Sequence, residues 1–394
     1  MNKQSIYERL GIDPDKAVVR EIFEKVINNK HPGAFVNIIP DPINSDYSFT
    51  HHVDGDGSKF VQCLLYFLVT GKSDIFKSIV DNALSMNTGD VACAGFVGPY
   101  TFVDILNVKM DEKLKKILLL SVACRAFELM ELYKKNDINL KFLGGETADL
   151  PDQVRSGIFD ISINAWTRTE DLITGNVKVG DKIYGFASDG KATWEDEINS
   201  GIMSNGLTLG RSALMHEFYD IEHPITKREG SFYDGRFYVN DKPEILTGMT
   251  VGEALLSPTR QWAIVIKKLL TYLKKMDCLS LVHGISMNTG GGATKIKNVG
   301  KGGICYHKKM PKPPAIFQLI QSESKEEWKD MFKGFNCGVG LDIVGSDNPK
   351  LHEALKQTAR ECNISLYELG FCESAESKKK NEIILETLYG EWRF

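Results

Sequence analysis

The sequence lacks several features that would place it in a common class of protein. No apolar run of about 18 residues occurs, which excludes a typical transmembrane helix, and the start of the chain, Met1 to Ser5, contains no apolar signal region. There is no strong basic tract, and the formal net charge of −4 argues against a general nucleic-acid-binding protein. We therefore expect a soluble, cytoplasmic protein whose partners include neither a membrane nor a nucleic acid.

Paired cysteines are also absent. The eight cysteines are dispersed and form no CxxC motif. This usage is typical of a reducing compartment, so we expect neither a disulfide framework nor a zinc site. The chain also contains no GxxxxGK[ST] phosphate-binding loop.

The length of 394 residues exceeds what a single hydrophobic core usually supports, so two domains are expected. Both halves mix predicted strands with predicted helices, which favours two α+β domains over a repeat array. The apolar pattern thins between residues 169 and 180, and we place the domain boundary near Gly175. The predicted domains are residues 1–174 and 175–394.

Apolar periodicity predicts the elements that position the motifs. Predicted strands cover residues 47–53, 101–108, 157–165, 182–187, 303–306, 341–344, 366–371 and 382–385. Predicted helices cover residues 57–70, 73–85, 111–134, 260–276 and 349–360.

A glycine pair, Gly144 and Gly145, lies in the segment Lys141–Pro151, which has the pattern of an apolar strand running into a loop. Because glycine has no Cβ and adopts positive φ at little cost, this pair would let the backbone approach a ligand closely. Glu146 and Asp149 would then lie where a strand enters a loop, a common place for catalytic groups. A tight turn with solvated carboxylates is the alternative.

A second glycine-containing loop, Asp54–Lys59 (DGDGSK), precedes a predicted helix. It resembles the start of an EF-hand, but Lys59 and Leu65 stand where that motif needs Gly and Glu. The remaining functional interpretation is a loop whose backbone N–H groups face phosphate, with Lys59 neutralising charge and Asp54 or Asp56 holding Mg²⁺. An acidic turn without a ligand is the alternative.

Further candidate residues lie on either side of this loop. Asp81 and Asp90 flank a short polar segment, and carboxylates that converge on a glycine-rich loop are suited to bridging Mg²⁺ and phosphate. A helix cap is the alternative for an isolated Asp beside an apolar run. His51 and His52 are adjacent on a predicted strand, so they point to opposite faces and at most one of them faces a site.

The order of these motifs resembles that of the phosphoribosylformylglycinamidine cyclo-ligase family, within the PurM-like superfamily. The resemblance covers nearly the whole chain, and its specificity comes from many motifs recurring in the same order. The matching segments are Tyr7 with Gly11–Asp13, Asp54–Lys59 (family DGVGTK), Asp81 (GID), Asp90 (ND), Gly144–Pro151 (GGETAEMP), Ser204–Gly206 (SNG), Leu256–Arg260 (LAPTR), Thr289–Gly292 (TGGG) and Phe335–Gly340 (FNCGVG).

Two departures from the family pattern affect the chemistry. Where the family reads SGPHSNG and HLTGGG, this chain has Met203 and Met287, so two histidines are replaced by side chains that cannot exchange protons. An insertion at residues 191–199 also precedes the first of these motifs. His283 could replace one lost imidazole, although we favour a structural role for it.

The resemblance implies a PurM-like architecture of two α+β domains. The sheet of the N-terminal domain would pair with that of a second copy in a homodimer, and a C-terminal α/β domain would close over it. The implied reaction is the ATP-dependent cyclisation of formylglycinamidine ribonucleotide to aminoimidazole ribonucleotide in purine biosynthesis, with ATP and Mg²⁺ as cofactors. Two alternatives stay open: another ATP-dependent PurM-like enzyme with a different acceptor, and a non-catalytic nucleotide-binding dimer.

The resemblance also implies roles for individual residues. The catalytic residues would be Lys59 on the ATP phosphates, Glu146 on the nucleotide or metal, and Thr147 and Asn205 on the substrate, together with Ser204. Mg²⁺ would be held by Asp54, Asp90 and Asp81. The residues that bind the cofactors would be Asp54, Gly55, Gly57, Ser58, Lys59, Asp81, Asp90, Gly144, Gly145 and Glu146.

Overall fold

The computed structural model describes residues 22–23, 26–27, 29–227 and 233–394. Within these ranges the chain forms two mixed sheets, one from residues 39–168 and one from residues 182–393, and helices accompany both sheets. This arrangement confirms the predicted α+β class. The family-matching segment from Tyr7 to Asp13 lies outside the described residues.

The N-terminal sheet has five strands: Ile39–Pro40 (β1), Tyr47–Gly55 (β2), Tyr100–Val108 (β3), Leu140–Asp149 (β4) and Gly157–Arg168 (β5). Their spatial order is β1-β2-β5-β3-β4, and neighbouring strands are antiparallel except for the parallel pair β3 and β4. The α-helices of this half whose bounds the structure describes are Lys59–Thr70 (α1), Lys77–Ala92 (α2) and Glu112–Lys135 (α3). Helix α3 begins where the Asp111 side chain accepts a hydrogen bond from the backbone N–H of Leu114, a standard N-cap.

The C-terminal sheet has seven strands: Lys182–Ala187 (β6), Val282–Met287 (β7), Ile304–Lys309 (β8), Val339–Gly345 (β9), Leu366–Ser374 (β10), Glu382–Thr387 (β11) and Gly390–Arg393 (β12). Their spatial order is β12-β11-β8-β10-β6-β9-β7, with β8 and β11 parallel and the other neighbours antiparallel. The α-helices of this half are Leu207–Leu214 (α4), Phe218–Glu222 (α5), Val251–Leu256 (α6), Trp262–Lys275 (α7), Ala315–Ser324 (α8), Trp328–Gly334 (α9) and Pro349–Cys362 (α10).

Helix α2 joins the two halves. Every residue of α2 from Ser78 to Ala92 is buried, because the helix packs on β2 and β5 on one side and on α7 on the other. The apolar residues of α7, among them Trp262, Val265 and Leu269, are buried as well, and Lys274 and Lys275 lie in its last turn, where positive charge is favourable to the helix dipole. A polar helix such as α2 stays buried only if its polar side chains find hydrogen-bond partners, and these partners form the site described below.

The glycine pair has a different role from the predicted one. Strand β4 continues through Gly144 and Gly145 to Asp149, and the register with β3 shifts beside Asp104, which marks a bulge. Gly144 has φ of +100°, and a Cβ on Gly145 would lie 1.8 Å from Asp104 Oδ1. The prediction that the strand ends here in a loop is therefore wrong: the glycines let β4 pack against β3.

One face of the N-terminal sheet is uncovered. Val53, Val103, Ile105 and Ile158 point to the side opposite the helices, and their exposed fractions range from 37% to 62%. Apolar side chains that cluster on a solvent-exposed sheet face usually mark an interaction surface. No described helix is long and apolar enough to span a lipid bilayer.

Candidate active site

The loop Asp54–Lys59 meets the C-terminal half at the start of α1. Gly57 has φ of +65°, and a Cβ at this position would lie 3.6 Å from the carbonyl oxygen of Ser204. Thr208 and Arg211 of α4 also reach this loop, with hydrogen bonds to Ser58 Oγ and Ser58 O, both 3.2 Å long. The loop and the SNG motif therefore lie against each other where the two halves meet, and this junction is called the cleft below.

Lys59 bridges the two halves from a fully buried position. Its Nζ donates to Asn82 Oδ1 at 3.2 Å, to Met203 O at 2.9 Å and to Ser257 O at 2.5 Å. Burial lowers the pKa of Lys59 to about 7. The sequence prediction put this amine on the ATP phosphates, whereas the structure places it on carbonyl oxygens from two loops of the C-terminal half.

Asn82, which the sequence reasoning did not select, holds this junction together. Its Oδ1 accepts from Ser204 Oγ at 2.7 Å, Thr259 Oγ1 at 2.7 Å and Thr259 N at 2.8 Å, in addition to Lys59. Its Nδ2 donates to Ser78 O within α2. A buried amide inside the apolar environment of a helix is the signal that could have identified it.

Asp54 and Asp90 are joined by a short polar network on the inner face of β2. The Nδ2 of Asn87 donates to the carbonyl oxygen of Asp54 at 2.9 Å and to that of Ala83 at 2.8 Å, so Asn87 Oδ1 accepts from His52 Nδ1, 3.0 Å away. His52 Nε2 lies 3.6 Å from Asp90 Oδ2. The network therefore places an imidazole next to a carboxylate.

The two adjacent histidines behave as predicted. His51 lies on the opposite, exposed face of β2, where its Nε2 is 2.6 Å from Ser162 Oγ. His52 alone of the pair faces the helix and the cleft.

Asp56 adds a buried carboxyl group to the loop. It is 1% exposed, and its Oδ2 has no hydrogen-bond partner among the described residues. Burial raises the pKa of Asp56 well above its usual range, and the nearby Asp160 raises it further. The family motif DGVGTK has Val at this position, so the excess negative charge is a property of this chain.

The C-terminal half contributes a hydrogen-bond donor to the cleft. Asn205 Nδ2 is buried and has no hydrogen-bond partner among the described residues, and a Cβ on Gly290 of the TGGG motif would lie 3.8 Å from Asn205 Oδ1. Lys295 Nζ donates to Thr289 Oγ1 at 3.2 Å and lies 5.2 Å from the ring centroid of Phe35. An amide and an ammonium group therefore flank the glycine-rich loop.

The two methionines at the family histidine positions are buried between the halves. Met203 and Met287 are 1% and 0% exposed, and a Cβ on Gly89 of α2 would lie 2.6 Å from Met287 Sδ. His283 does not replace them, since its Nδ1 is 2.7 Å from Asp181 Oδ2 in a buried pair. That pairing agrees with the structural role favoured for His283.

The insertion at residues 191–199 supplies Glu195 as the counter-ion of Arg260. Both carboxylate oxygens of Glu195 accept hydrogen bonds of 2.9 Å from Arg260, the last residue of the LSPTR motif. Arg260 is 2% exposed and also donates to Ala187 O at 2.8 Å. The insertion thus fixes the segment that carries Thr259 and Ser257.

Other predicted residues lie apart from this cleft. Asp81 is bound by the Nε and Nη2 of Arg125 at 2.9–3.1 Å, on the side of α2 that faces α3. Two strands, β5 and β3, separate β2 from β4, so Glu146 and the exposed Thr147 lie about 14 Å from Asp54 at roughly 4.8 Å per strand. Asp149 pairs with Lys115 at 3.0 Å.

No family model matches the chain. Comparison with curated proteins gives similarity to phosphoribosylformylglycinamidine cyclo-ligases of archaea. The relative from Methanococcus vannielii is 29% identical over 352 residues, which cover 88% of this chain and 84% of the relative. The relative from Pyrococcus furiosus is 30% identical over 317 residues, covering 79% of this chain and 75% of the relative.

Solved structures with the same fold include proteins in complex with nucleotides. ThiL, described as AaThiL complexed with AMPPCP and TMP, superposes with a TM-score of 0.52 at 11% identity and covers 96% of both chains. PurL from T. maritima in complex with ADP gives a TM-score of 0.53 at 10% identity, covering 98% of this chain and 52% of PurL. These likenesses show that the fold is PurM-like.

Proposed function

We propose that this chain, which belongs to the phosphoribosylformylglycinamidine cyclo-ligase family, catalyses the ATP-dependent cyclisation of formylglycinamidine ribonucleotide to aminoimidazole ribonucleotide. The reaction is a C–N ring-forming step of purine biosynthesis. Family membership supports the reaction type, and the cleft between the halves supports its location.

The observation that carries the proposal is the meeting of family motifs from both halves in this cleft. The Asp54–Lys59 loop lies against the SNG motif, and Asn205 of that motif lies beside the TGGG loop. The unpartnered Asn205 Nδ2 is a donor available to a polar ligand. Buried donors without partners are uncommon in folded proteins, which favours a ligand at this point.

ATP would bind with its phosphates on the Asp54–Lys59 loop, where the backbone N–H groups of Gly57 and Ser58 precede α1. Asp54 and Asp90 would hold Mg²⁺, because carboxylate oxygens are its preferred protein ligands. The buried, raised-pKa carboxyl of Asp56 fits this assignment, since a cation beside it would offset its charge. When bound, Mg²⁺ neutralises charge on the transferred phosphoryl group.

In the proposed reaction the formamide oxygen of the substrate attacks the γ-phosphorus of ATP, and ADP leaves. The amidine-side nitrogen then attacks the activated carbon, phosphate leaves, and the nitrogen loses a proton as the ring closes. The protein acts mainly through position and charge. Asn205 would orient the substrate. His52 Nε2 would accept the proton, because Met203 and Met287, which stand at the family histidine positions, cannot do so.

The test is to incubate the purified protein with formylglycinamidine ribonucleotide, ATP and Mg²⁺ and to quantify both products. Aminoimidazole ribonucleotide and ADP should form in equal amounts. ADP release without the imidazole product would contradict the proposal. A His52→Gln variant should lower kcat by about 10²-fold or more, whereas His352→Gln, on helix α10 of the C-terminal half, should not.

One observation favours a second candidate, an ATP-dependent PurM-like enzyme with a different acceptor. Met203 and Met287 replace two family histidines with apolar side chains that are 1% and 0% exposed. A screen of amide and phosphate acceptors for stimulated ADP release separates the two candidates. Under the second one, an acceptor other than formylglycinamidine ribonucleotide gives the highest kcat/KM.

The uncovered sheet face supports a homodimer. Val53, Val103, Ile105 and Ile158 would pack against a second copy, and the same contact would cover edge strand β4 with Glu146 and Thr147. Analytical ultracentrifugation should give about twice the chain mass of 44.1 kDa. Ile105→Asp should give monomers, while the control Leu120→Asp, at a residue 57% exposed on α3, should stay dimeric. Dimeric Ile105→Asp would exclude this face.

A further inference from the structure

A thiol, an imidazole and a carboxylate converge on one face of the C-terminal sheet, and none of them belongs to the cleft motifs. Cys305 and His307 are alternate residues of β8, so their side chains point to the same side. Glu373 of β10 is the direct cross-strand partner of Cys305 in the antiparallel pair. Strand pairing therefore brings the three groups together.

The three donor atoms are close enough to share one ion. His307 Nε2 lies 3.8 Å from Cys305 Sγ and 2.5 Å from Glu373 Oε1, and all three ligand atoms lie within 4.8 Å of one another. Zinc bonds of about 2.0–2.3 Å in a tetrahedron separate neighbouring ligands by roughly 3.3–3.6 Å. The half-exposed Glu373 side chain has room for the small shift from 2.5 Å that this geometry requires.

We propose that Cys305, His307 and Glu373 form a Zn²⁺ site. The S, N and O donors are those that Zn²⁺ takes in proteins, and three protein ligands leave the fourth position to water. Cys305 is fully buried while Glu373 is exposed, so the site opens to solvent on its carboxylate side. The proposal is independent of the reaction proposed for the cleft.

The surroundings of the cluster fix its ligands. The ring of His307 stacks on Phe371 with centroids 4.9 Å apart and an interplanar angle of 4°, which holds Nε2 towards Cys305 and Glu373. Arg393 is the nearby cation; it contacts the Cys305 thiol, and its guanidinium is also bound by Glu376 at 2.7 Å and by Glu382 at 2.6 Å. With Glu373, three carboxylates outnumber this one positive charge, which favours a divalent cation.

A neighbouring pair between helix α10 and strand β10 offers a matched comparison. His352 Nε2 is 2.8 Å from Glu368 Oε1, and the ring of His352 stacks on Tyr184. This pair has a histidine, a glutamate and a stacked aromatic ring, as the proposed site has, but it is not part of a three-ligand cluster among the described residues. It should bind Zn²⁺ far more weakly.

The sequence expectation of no zinc site rested on the missing CxxC motif. Here two ligands come from alternate positions on one strand, and the third lies 66 residues beyond His307. No local spacing reveals such a set.

The test uses Co²⁺ as a spectroscopic probe and Zn²⁺ as the competing ion, with the full chain stripped of metal. Wild type should bind one Co²⁺ with a thiolate-to-metal charge-transfer band that Zn²⁺ abolishes. Cys305→Ser should lose the band, and His307→Gln and Glu373→Gln should raise the Kd for Zn²⁺ by about 100-fold or more. Zn²⁺ should raise the Tm of wild type but not of Cys305→Ser.

Two control variants make the result specific. His352→Gln, in the matched pair, and Cys124→Ser, at an exposed cysteine of α3, should leave the band and the Kd unchanged. The proposal is overturned if wild type gives no charge-transfer band or if the band persists in Cys305→Ser. An unchanged Kd in both His307→Gln and Glu373→Gln also overturns it, and these two variants keep the test valid if Cys305→Ser fails to fold.

Discussion

Two lysines in the described part of the chain are completely buried, and the protein accommodates them in different ways. Lys308 of β8 forms an ion pair of 2.7 Å with Asp342 of β9, both 0% exposed, and also donates to Ala293 O. Lys59 donates instead to the carbonyl oxygens of Asn82, Met203 and Ser257. A buried ion pair fixes a core, whereas the Lys59 amine, held by neutral carbonyl oxygens, can lose its proton while it joins the two halves.

The largest expected effect comes from breaking the ion pair. Lys308→Met leaves Asp342 buried without its cation, and we expect a loss of about 3–5 kcal/mol in the free energy of unfolding, measured by urea denaturation. The double variant Lys308→Met with Asp342→Leu should recover most of that loss, because neither charge remains. A single variant as stable as wild type would contradict the role of the pair.

Removing the Lys59 amine should lower the free energy of unfolding by somewhat less. Lys59→Met leaves Met203 O and Ser257 O without this donor, and we expect a loss of about 2–4 kcal/mol in the same measurement. ATP turnover should fall as well, because the SNG loop loses its anchor. Lys77→Met, which removes a partly exposed pair with Glu128, is the control and should cost less than about 1 kcal/mol.

The pH dependence of stability should report the protonation of Lys59. Because burial lowers the pKa of Lys59 to about 7, the unfolded chain binds one more proton than the folded chain between pH 7 and the ordinary lysine value. The free energy of unfolding should therefore rise with pH in this window, by up to about 1.4 kcal/mol per pH unit, relative to Lys59→Met. Equal pH slopes for wild type and Lys59→Met would show that the amine stays charged.

The smallest expected effect concerns Asp56, the buried acid near the junction. Burial raises its pKa, so its negative charge at neutral pH destabilises the folded state. Asp56→Asn should stabilise the free protein by about 1 kcal/mol at pH 7, and the gain should shrink as pH falls and Asp56 takes up a proton. The affinity of Asp56→Asn for nucleotide in the presence of Mg²⁺ should fall, which calorimetry would measure. If Asp56→Asn is instead less stable than wild type, hydrogen bonds of the carboxylate outweigh the cost of its burial.

Much of the fold follows from local sequence patterns. Strand β6 lies at the predicted residues 182–187, and β5 and α10 begin at the predicted Gly157 and Pro349. Strand β7 and helices α6, α8 and α9 were not predicted. Strand β7 contains His283 and Gly284 between apolar residues, so its pattern is neither alternating nor continuously apolar, and tertiary pairing with β9 decides its conformation.

Only part of the candidate site could be predicted from the sequence. Local pattern and family resemblance identified Asp54, Asp90 and Asn205, which the structure brings to the same cleft. Asp81 and Asp90 are nine positions apart in the sequence, and at about 100° per residue they face opposite sides of α2. Arg125 therefore holds Asp81 away from the cleft, and the neighbouring Asn82 faces it instead.

The sequence by itself determined the fold class, the order of the family motifs and the loss of two histidines. The tertiary structure decided what each motif residue contacts. The sequence pattern predicted Lys59 as a phosphate ligand, yet its shortest hydrogen bond reaches Ser257, 198 residues away. The glycine pair was predicted to lie at a ligand, yet it allows β4 to pair with β3. The physical reason is that local pattern constrains backbone conformation, whereas hydrogen-bond partners and burial depend on which distant segments pack together.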